Sequence, residues 1–305
     1  MALDKKEKAI ELQGITKTFG SVVANDHINL EVRRGEILAL LGENGSGKTT
    51  LMNMISGIYH PDEGTIKING KEVTINSPID AGKLGIGMIH QHFKLVDVFS
   101  AMDNVAMGME GKRVKPKELK EKLTKLTEKY GLEVEPEKKI YNMSVSEKQT
   151  VEILKVLYRN ADILILDEPT AVLTPQETKK LFHILRKMKE QGSAIIIITH
   201  KLNEVMEISD RVTILRKGQS VETVNTSETN EKQLTELMVG RPVTLEIQRP
   251  QCENVFTRLK IVDLSVKAAD GNMAVKDLNL EIKAGEILGV AGVAGSGQKE
   301  LCESI

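Results

Sequence analysis

The stretch GENGSGKT, from Gly42 to Thr49, combines glycines, a lysine and a threonine at the spacing of a phosphate-binding loop. Glycines let backbone N–H groups turn towards a polyphosphate, and a helix placed after the loop adds its positive N-terminal end. Lys48 is then expected to reach the β- and γ-phosphates, and the Thr49 hydroxyl to bind Mg²⁺. The residues predicted to bind the phosphates are Gly42, Asn44, Gly45, Ser46, Gly47, Lys48, Thr49 and Thr50.

The segments around this loop support its assignment. The apolar run of residues 37–41 precedes it, and a helical pattern begins at Leu51, so strand, tight loop and helix follow one another. The alternative is a glycine-rich turn that matches by chance. Because the strand, the Lys-Thr pair and the helix are all in place, the pattern favours a phosphate site.

Two adjacent acids follow a second apolar run, residues 163–166. Asp167 is placed to hold Mg²⁺, directly or through water, together with Thr49. Glu168 can orient or deprotonate the water that attacks in a phosphoryl-transfer reaction. Either acid alone would fit an ordinary strand end. Their pairing, downstream of a complete phosphate loop, predicts catalysis.

Three further side chains are candidates for nucleotide binding or catalysis because of their positions relative to the apolar runs and the phosphate loop. His200 follows the apolar run 194–199, where its imidazole can donate to a γ-phosphate, although a lone histidine is more often a solvated or core residue. Gln91 follows the short run 86–90, and its amide can reach Mg²⁺ or the attacking water. Phe19 is one of few aromatics upstream of the loop and can stack on adenine; the alternative is a core phenylalanine.

Composition excludes several other classes. The 305 residues carry a formal net charge of −1, which does not point to nucleic-acid binding. The two cysteines form neither a CxxC pair nor a disulfide framework, so a reducing compartment is expected. The charged N-terminus lacks the apolar region of a signal peptide, and no window approaches the roughly 18 apolar residues of a membrane span.

The order of the patterns predicts an α/β fold with a parallel sheet core of the P-loop NTPase type. The runs 37–41, 163–167 and 194–199 are typical of parallel strands covered on both faces. Short strand patterns before the loop and around Asn69-Gly70 predict an antiparallel β subdomain, with strands at 65–68 and 73–75. Helical spacing over 105–132 and 144–160 predicts a helical insert with a solvated charged face.

The chain then repeats itself. Residues 279–301, NLEIKAGEILGVAGVAGSGQKEL, match residues 29–51, NLEVRRGEILALLGENGSGKTTL, without an insertion. A second domain of the same type is therefore expected to begin near residue 258. There Gln298 and Lys299 replace Lys48 and Thr49, so hydrolysis by the second copy is expected to be impaired. The predicted organisation is a complete domain at 1–240, a linker at 241–257 and a fragment at 258–305.

These motifs, in this order, resemble the ATP-binding cassette (ABC) family. GENGSGKTTL is similar to its Walker A motif, and ILILDEPT is similar to its Walker B motif with the catalytic glutamate. The resemblance implies that Gln91 is the Q-loop residue, His200 the switch histidine and Phe19 the adenine-stacking aromatic. A duplicated cassette with a weakened second Walker A is similar to the ATPases of bacterial simple-sugar and nucleoside importers. GIGMIHQHFKLV, VEILKVLY and DEPTAVLTPQE look closer to the nucleoside group.

The chain departs from the family in its signature loop and in its length. Ser144 keeps the hydroxyl that would touch a γ-phosphate across a dimer interface, but Ser146 stands at a position that is usually glycine. A Cβ there is expected either to strain the backbone and weaken closure or to be tolerated by a slight loop shift. The second copy ends at Ile305, before its own signature and Walker B, so the chain is expected to be a fragment or to pair with another chain.

The resemblance implies the ATP-binding and hydrolysing subunit of a bacterial importer, with ATP and Mg²⁺ as cofactors. The expected partners are integral membrane permease subunits, a second cassette from the same or another chain and, indirectly, an extracytoplasmic solute-binding protein; no nucleic acid is expected. The expected location is cytoplasmic, on the inner face of the cell membrane. The alternatives are a soluble twin-cassette ATPase acting on ribosomes or DNA, and a nucleotide-binding remnant that cannot hydrolyse.

Overall fold

The computed structural model describes residues 7–107, 116–242, 256–268, 271–292 and 295–305. The chain divides into two compact units, Met1–Val243 and Thr244–Ile305. Most of the predicted linker, including Cys252, lies outside the described residues, whereas Cys302 is exposed. None of the helices in the described ranges is long and apolar enough to span a membrane.

A six-stranded sheet forms the centre of the first unit. Its strands are β3 (Glu36–Leu41), β6 (Ile86–Ile89), β7 (Ile163–Asp167), β8 (Ala194–Thr199), β9 (Arg211–Arg216) and β10 (Gln219–Asn225). They lie in the order β10-β9-β3-β8-β7-β6, and every neighbouring pair is parallel except β9–β10. The predicted parallel core is therefore confirmed. The carboxyl ends of β3, β6, β7 and β8 meet at one edge, which gathers the loops that follow them.

Helices cover this sheet on both faces. The helices described in this unit are α1 (Lys48–Ile55), α2 (Pro78–Lys83), α3 (Ala101–Ala106), α4 (Pro116–Tyr130), α5 (Val145–Tyr158), α6 (Pro175–Glu190), α7 (Leu202–Ile208) and α8 (Glu231–Val239); of these, α3 and α4 pack on α5. Alternate side chains of β8 enter different hydrophobic clusters. Ile196 and Ile198 pack in the cluster that contains Leu51 of α1, whereas Ile195 and Ile197 pack in the cluster formed with α5 and α6. This alternation explains why β8 is isoleucine throughout its centre.

The predicted antiparallel subdomain is a second sheet of four strands. These are β1 (Lys8–Phe19), β2 (Val22–Arg33), β4 (Glu63–Ile68) and β5 (Lys71–Val73), in the order β2-β1-β4-β5. The last strand lies at 71–73, not at the predicted 73–75. The turn at Asn69 and Gly70, with φ of 50° and 75°, places Lys71 directly opposite Ile68, so pairing begins at once after the turn.

The helical insert is present but differs in detail from the prediction. A single helical segment over 105–132 is wrong, because α3 ends at Ala106 and α4 begins at Pro116, with residues 108–115 outside the described part. α3 begins earlier than its apolar spacing suggests because Ser100 and Asp103 form a capping box, with N–H to side-chain distances of 3.1 Å in both directions. The sequence pattern predicts neither α2 nor α8, since each buries one side chain only.

The second unit repeats local details of the first. It contains the paired strands β11 (Thr257–Lys267) and β12 (Met273–Lys283) and the short helix α9 (Gln298–Glu303). Asn279 Oδ1 accepts the N–H of Asp263 at 3.1 Å, as Asn29 Oδ1 accepts the N–H of Gly14 at 3.0 Å. Residues 286–291 align with β3 in sequence but form no strand, and Ile287 is 98% exposed.

Candidate functional site

The loop between β3 and α1 is closely packed against the backbone of other elements. A Cβ at Gly42 would lie 2.3 Å from Leu215 O, and a Cβ at Gly47 would lie 2.4 Å from Ala24 O. Gly45 and Gly47 have φ of 78° and 96°, values at which any residue that carries a Cβ is strained. Glycine is therefore required here for space as well as for conformation, and the first-turn N–H groups of α1 point into the loop.

Gly47→Ala is expected to destabilise the chain more than Gly45→Ala, which is a matched control. Both positions have positive φ, but a Cβ at Gly45 meets nothing within 4 Å. The difference therefore reports the clashes of the Gly47 Cβ with Ala24 O and Asn25 Nδ2, and we expect about 1–3 kcal/mol of additional loss in the free energy of unfolding. Urea unfolding of the two variants measures it. Equal stabilities would show that the backbone near Ala24 can move away.

Lys48 occupies the inside of this loop. Its side chain is buried, and Nζ donates to Gly42 O and Glu43 O, both at 2.8 Å. Burial lowers the pKa of Lys48, while the carboxylates of Glu168 and Asp167 raise it. Carbonyl oxygens are weaker partners for an ammonium than phosphate oxygens. Lys48 can therefore exchange its present partners for a phosphate without moving far.

Asp167 ends β7 and faces the same cavity as Lys48. Burial raises the pKa of Asp167, the neighbouring Glu168 raises it further, and Lys48 lowers it. A carboxylate in this position is stabilised by a divalent cation. Thr49 and Gln91 line the same cavity and add a hydroxyl and an amide, oxygen donors that suit Mg²⁺. Within the described ranges, no group of three or more His, Cys, Asp and Glu side chains could hold a metal ion by itself.

Glu168 is contacted by both of the other predicted catalytic residues. Gln91 Nε2 donates to Glu168 Oε2 at 3.1 Å, and His200 Nδ1 lies 2.9 Å from Glu168 Oε1. Because a carboxylate only accepts, Nδ1 carries the proton, and Nε2 can donate to a γ-phosphate only when the ring is protonated. Glu168 has φ of 45°, an unfavourable value for this residue. The loop after β7 thus holds Glu168 in a strained conformation that directs it towards Gln91 and His200.

Most of the predicted site residues share one open cavity of about 650 Å³. The predicted residues that line it are Asn44, Gly45, Ser46, Gly47, Lys48, Thr49, Thr50, Gln91, Asp167, Glu168 and His200. Loops after four strands of the central sheet, β3, β6, β7 and β8, supply them. The cavity combines a backbone cradle, one buried ammonium and two carboxylates, a set that fits a nucleotide polyphosphate with a divalent cation.

Phe19 does not line this cavity, although its strand partner Val22 does. Phe19 is 43% exposed at the end of β1 and contacts Tyr59 edge to face, with ring centroids 5.2 Å apart. It is therefore not a core residue. Its adenine-stacking role stays a prediction, now with Tyr59 as a neighbour that the sequence did not indicate.

Two elements contribute to the cavity without any motif in the sequence. Asn25 of β2 is fully buried, and its Nδ2 donates to Gly47 O at 3.2 Å. Gly218, in the turn between β9 and β10, donates its N–H to Ser46 O at 3.2 Å. Both therefore support the phosphate loop through hydrogen bonds to its backbone carbonyls. No signal in the sequence identifies them, because they reach the loop only through the pairing of distant strands.

Ser144 lies in a different cavity from the phosphate loop. It is the N-cap of α5, where its Oγ accepts the N–H of Glu147 at 3.2 Å, and it lines a cavity of about 500 Å³ between the insert and α6. Ser146 belongs to the first turn of α5 and is not among the residues with positive φ. Of the two alternatives for Ser146, backbone strain is not found, because an α-helix accepts a Cβ there at little cost.

Comparison with known proteins finds similarity to one family in part of this chain, and to longer relatives along most of it. Residues 25–171 match the protein family described as ABC transporter. The nucleoside import ATP-binding protein NupA of Lactococcus lactis subsp. cremoris is 48% identical over 98% of this chain and 60% of its own length. The guanosine import ATP-binding protein NupO of Bacillus subtilis is 49% identical over 98% of this chain and 59% of its own length. The chain thus spans about three fifths of these relatives.

A solved structure supports the fold alone. The ADP conformation of MJ1267, described as an ATP-binding cassette of an ABC transporter, aligns with a TM-score of 0.69 at 24% identity, over 77% of this chain and 99% of that one. The first unit thus has the fold of a P-loop ATP-binding cassette. Residues 25–171, which match the ABC transporter family, lie within this unit.

Proposed function

We propose that the chain binds and hydrolyses ATP and so energises solute uptake through a membrane permease. The observation that carries this proposal is the convergence of Gln91 and His200 on Glu168, in the same cavity as Lys48 and the phosphate cradle. Charge neutralisation, a positioned water and a base are what phosphoryl transfer needs. The proposed reaction converts ATP and water into ADP and phosphate.

Each residue of the cavity has a role in this reaction. Lys48 and the N–H groups of the loop bind the β- and γ-phosphates, and Thr49 and Asp167 hold Mg²⁺, with Gln91 as a further donor. When bound, Mg²⁺ neutralises part of the phosphate charge. The oxygen of the attacking water bonds to the γ-phosphorus while the bond from this phosphorus to the leaving ADP oxygen breaks, and Glu168 accepts a proton from the water. His200 contacts Glu168 and, when protonated, donates to the γ-phosphate.

The proposed organisation is a complete cassette at 1–240, a linker at 241–257 and the first part of a second cassette at 258–305. The location of Ser144, in a cavity separate from the phosphate loop, supports a site shared between two cassettes. Ser144 would then contact the γ-phosphate held by another cassette. Gln298, in place of Lys48, supports an impaired second loop.

The proposed partner is an integral membrane permease that docks on the insert near residues 91–104. Val98 and Phe99 in this segment are 65% and 41% exposed, which suits an apolar contact. The names of the two relatives favour a nucleoside as the solute, with a simple sugar as the alternative. A solute-binding protein would deliver it from outside, and the chain would lie on the cytoplasmic face of the membrane.

Affinity isolation of the natural protein from membranes is expected to recover an integral membrane permease. Nucleoside uptake by the cells should depend on Glu168, whereas recovery of the permease should not, because Glu168→Gln alters the hydrolytic site and leaves residues 91–104 intact. Mass spectrometry and uptake of labelled nucleosides and sugars measure the two properties. Recovery of ribosomes instead of a permease would replace this function with the soluble alternative, and Glu168-dependent uptake of sugars alone would reassign the solute.

A further inference from the structure

A second set of contacts joins the two loops that hold Glu168 and His200. Thr170 Oγ1 donates to Glu204 Oε2 at 2.6 Å, and Lys201 Nζ lies 3.0 Å from Glu204 Oε1. Lys201 Nζ also donates to Thr170 O at 3.1 Å and to Thr170 Oγ1 at 3.3 Å. Thr170, Lys201 and Glu204 are called the loop clamp below. They connect the loop after β7 to the start of α7, and each pair within the clamp is in contact.

The loop clamp is largely removed from water. Thr170 is 2% exposed and Glu204 is 6% exposed, while the Lys201 side chain remains 37% exposed. A hydrogen bond from a hydroxyl to a buried carboxylate is among the stronger kinds in proteins. Removing one partner also leaves one oxygen of the buried Glu204 carboxylate without its donor. The clamp is therefore costly to open.

The contact between Glu168 and His200 is much more exposed than the clamp. The two side chains are 21% and 51% exposed, and their contact is an ion pair only when the ring is protonated. A contact this open to solvent contributes little to fixing a geometry. Because Glu168 also has φ of 45°, its conformation must be maintained by surrounding structure. The clamp is well placed for this, since Thr170 is two residues after Glu168 and Lys201 directly follows His200.

We propose that Thr170, Lys201 and Glu204 are positioning residues that set the distance between Glu168 and His200. This inference rests on the proposed ATP hydrolysis at Glu168. Lys201 and Glu204 fix the loop after β8 and the first turn of α7, and Thr170 fixes the loop after β7 against them. None of the three lines the cavity of the phosphate loop. The clamp therefore acts on the rate of hydrolysis through Glu168 and His200 and leaves nucleotide binding to other loops.

Thr170→Val is the sharpest test, because it removes the hydroxyl and keeps the shape of the side chain. We expect kcat for MgATP to fall about 10–100-fold, the effect of a displacement near 1 Å at a reacting group. The KM for MgATP should stay within about twofold, because the phosphate loop after β3 is untouched. Thr170→Ser restores the hydroxyl and should recover most of kcat. Lys201→Met, at a partly exposed position, provides a second variant with a smaller expected loss.

Two controls separate positioning from a general loss of structure. Thr213→Val removes another buried hydroxyl, which pairs with Thr223 Oγ1 at 2.8 Å between β9 and β10, and should leave kcat unchanged. In a His200→Ala background, Thr170→Val should reduce kcat much less than in the wild type, because the His200 side chain that Thr170 helps to position is already absent. A purely structural role would give the same loss in both backgrounds.

Steady-state phosphate release by the natural protein with its permease measures all of these variants. Loss of kcat in Thr170→Val, recovery in Thr170→Ser and a reduced effect without His200 would support the loop clamp. Wild-type kcat in both Thr170→Val and Lys201→Met, or a full additional loss without His200, would overturn it while the proposed hydrolysis stands. A wild-type protein with no Glu168-dependent phosphate release would overturn both.

Discussion

A Glu168→Gln protein is expected to bind MgATP as tightly as the wild type and to hydrolyse it about 10²–10⁴ times more slowly. The amide keeps the size of the side chain and an oxygen that can accept from Gln91 or His200, which now lie 3.1 Å and 2.9 Å from the carboxylate. It cannot take a proton from water at neutral pH. Phosphate release under saturating MgATP and equilibrium nucleotide binding measure the two properties separately.

Glu207→Gln is the matched control for this prediction. Glu207 lies on α7, and its carboxylate forms a partly exposed ion pair 3.7 Å from Arg186, away from the cavity. The same change of charge should there leave both binding and turnover as they are, because exposed ion pairs contribute little. Turnover of Glu168→Gln within about threefold of the wild type would remove Glu168 from the role of base. A parallel loss in Glu207→Gln would attribute the effect to net charge.

Replacement of Lys48 by alanine is expected to weaken MgATP binding by about 10–150-fold, the range that corresponds to one hydrogen bond to a charged group. The Lys48 ammonium is buried, and burial lowers its pKa, but Asp167 and Glu168 raise it and favour the charged form. Without this positive charge, only Mg²⁺ would reduce the repulsion between the negatively charged phosphates and the two carboxylates. Titration of a fluorescent ATP analogue measures the dissociation constant.

Lys125→Ala on the exposed surface of α4 controls for the loss of a positive charge and should bind as the wild type does. The free energy of unfolding should be measured beside it, because Lys48 Nζ also donates to two loop carbonyls at 2.8 Å in the present structure. An unchanged dissociation constant in a folded Lys48→Ala protein would mean that the phosphates are bound elsewhere.

Most of the central sheet could be predicted because its signals are local. The runs at β3, β7 and β8 are short and apolar, and the last two are followed or ended by polar residues, Asp167 in β7 and His200 after β8. The chemistry of the phosphate loop is local as well, because glycines and the Lys-Thr pair are contiguous. Parallel pairing then brings the strand ends together without any further information.

The remaining features depend on contacts between distant segments. Asn25 supports Gly47, and Thr170 contacts Glu204, but no spacing in the sequence connects either pair. At Ser146 the sequence left both a strained and a tolerated backbone open, and the structure shows a helical backbone, which tolerates serine. Propensity and periodicity describe one element at a time, so side chains that join two elements become visible only in the folded chain.

The most direct test of the central claim is a crystal structure of the Glu168→Gln protein with MgATP. The β- and γ-phosphates should lie within hydrogen-bond distance of Lys48 Nζ, which should have left Gly42 O and Glu43 O, its partners at 2.8 Å in the present structure. The Mg²⁺ ion should contact Thr49 and lie beside Asp167. A nucleotide bound outside this cavity, or a Lys48 that keeps both carbonyl partners while ATP is bound, would contradict the proposed site.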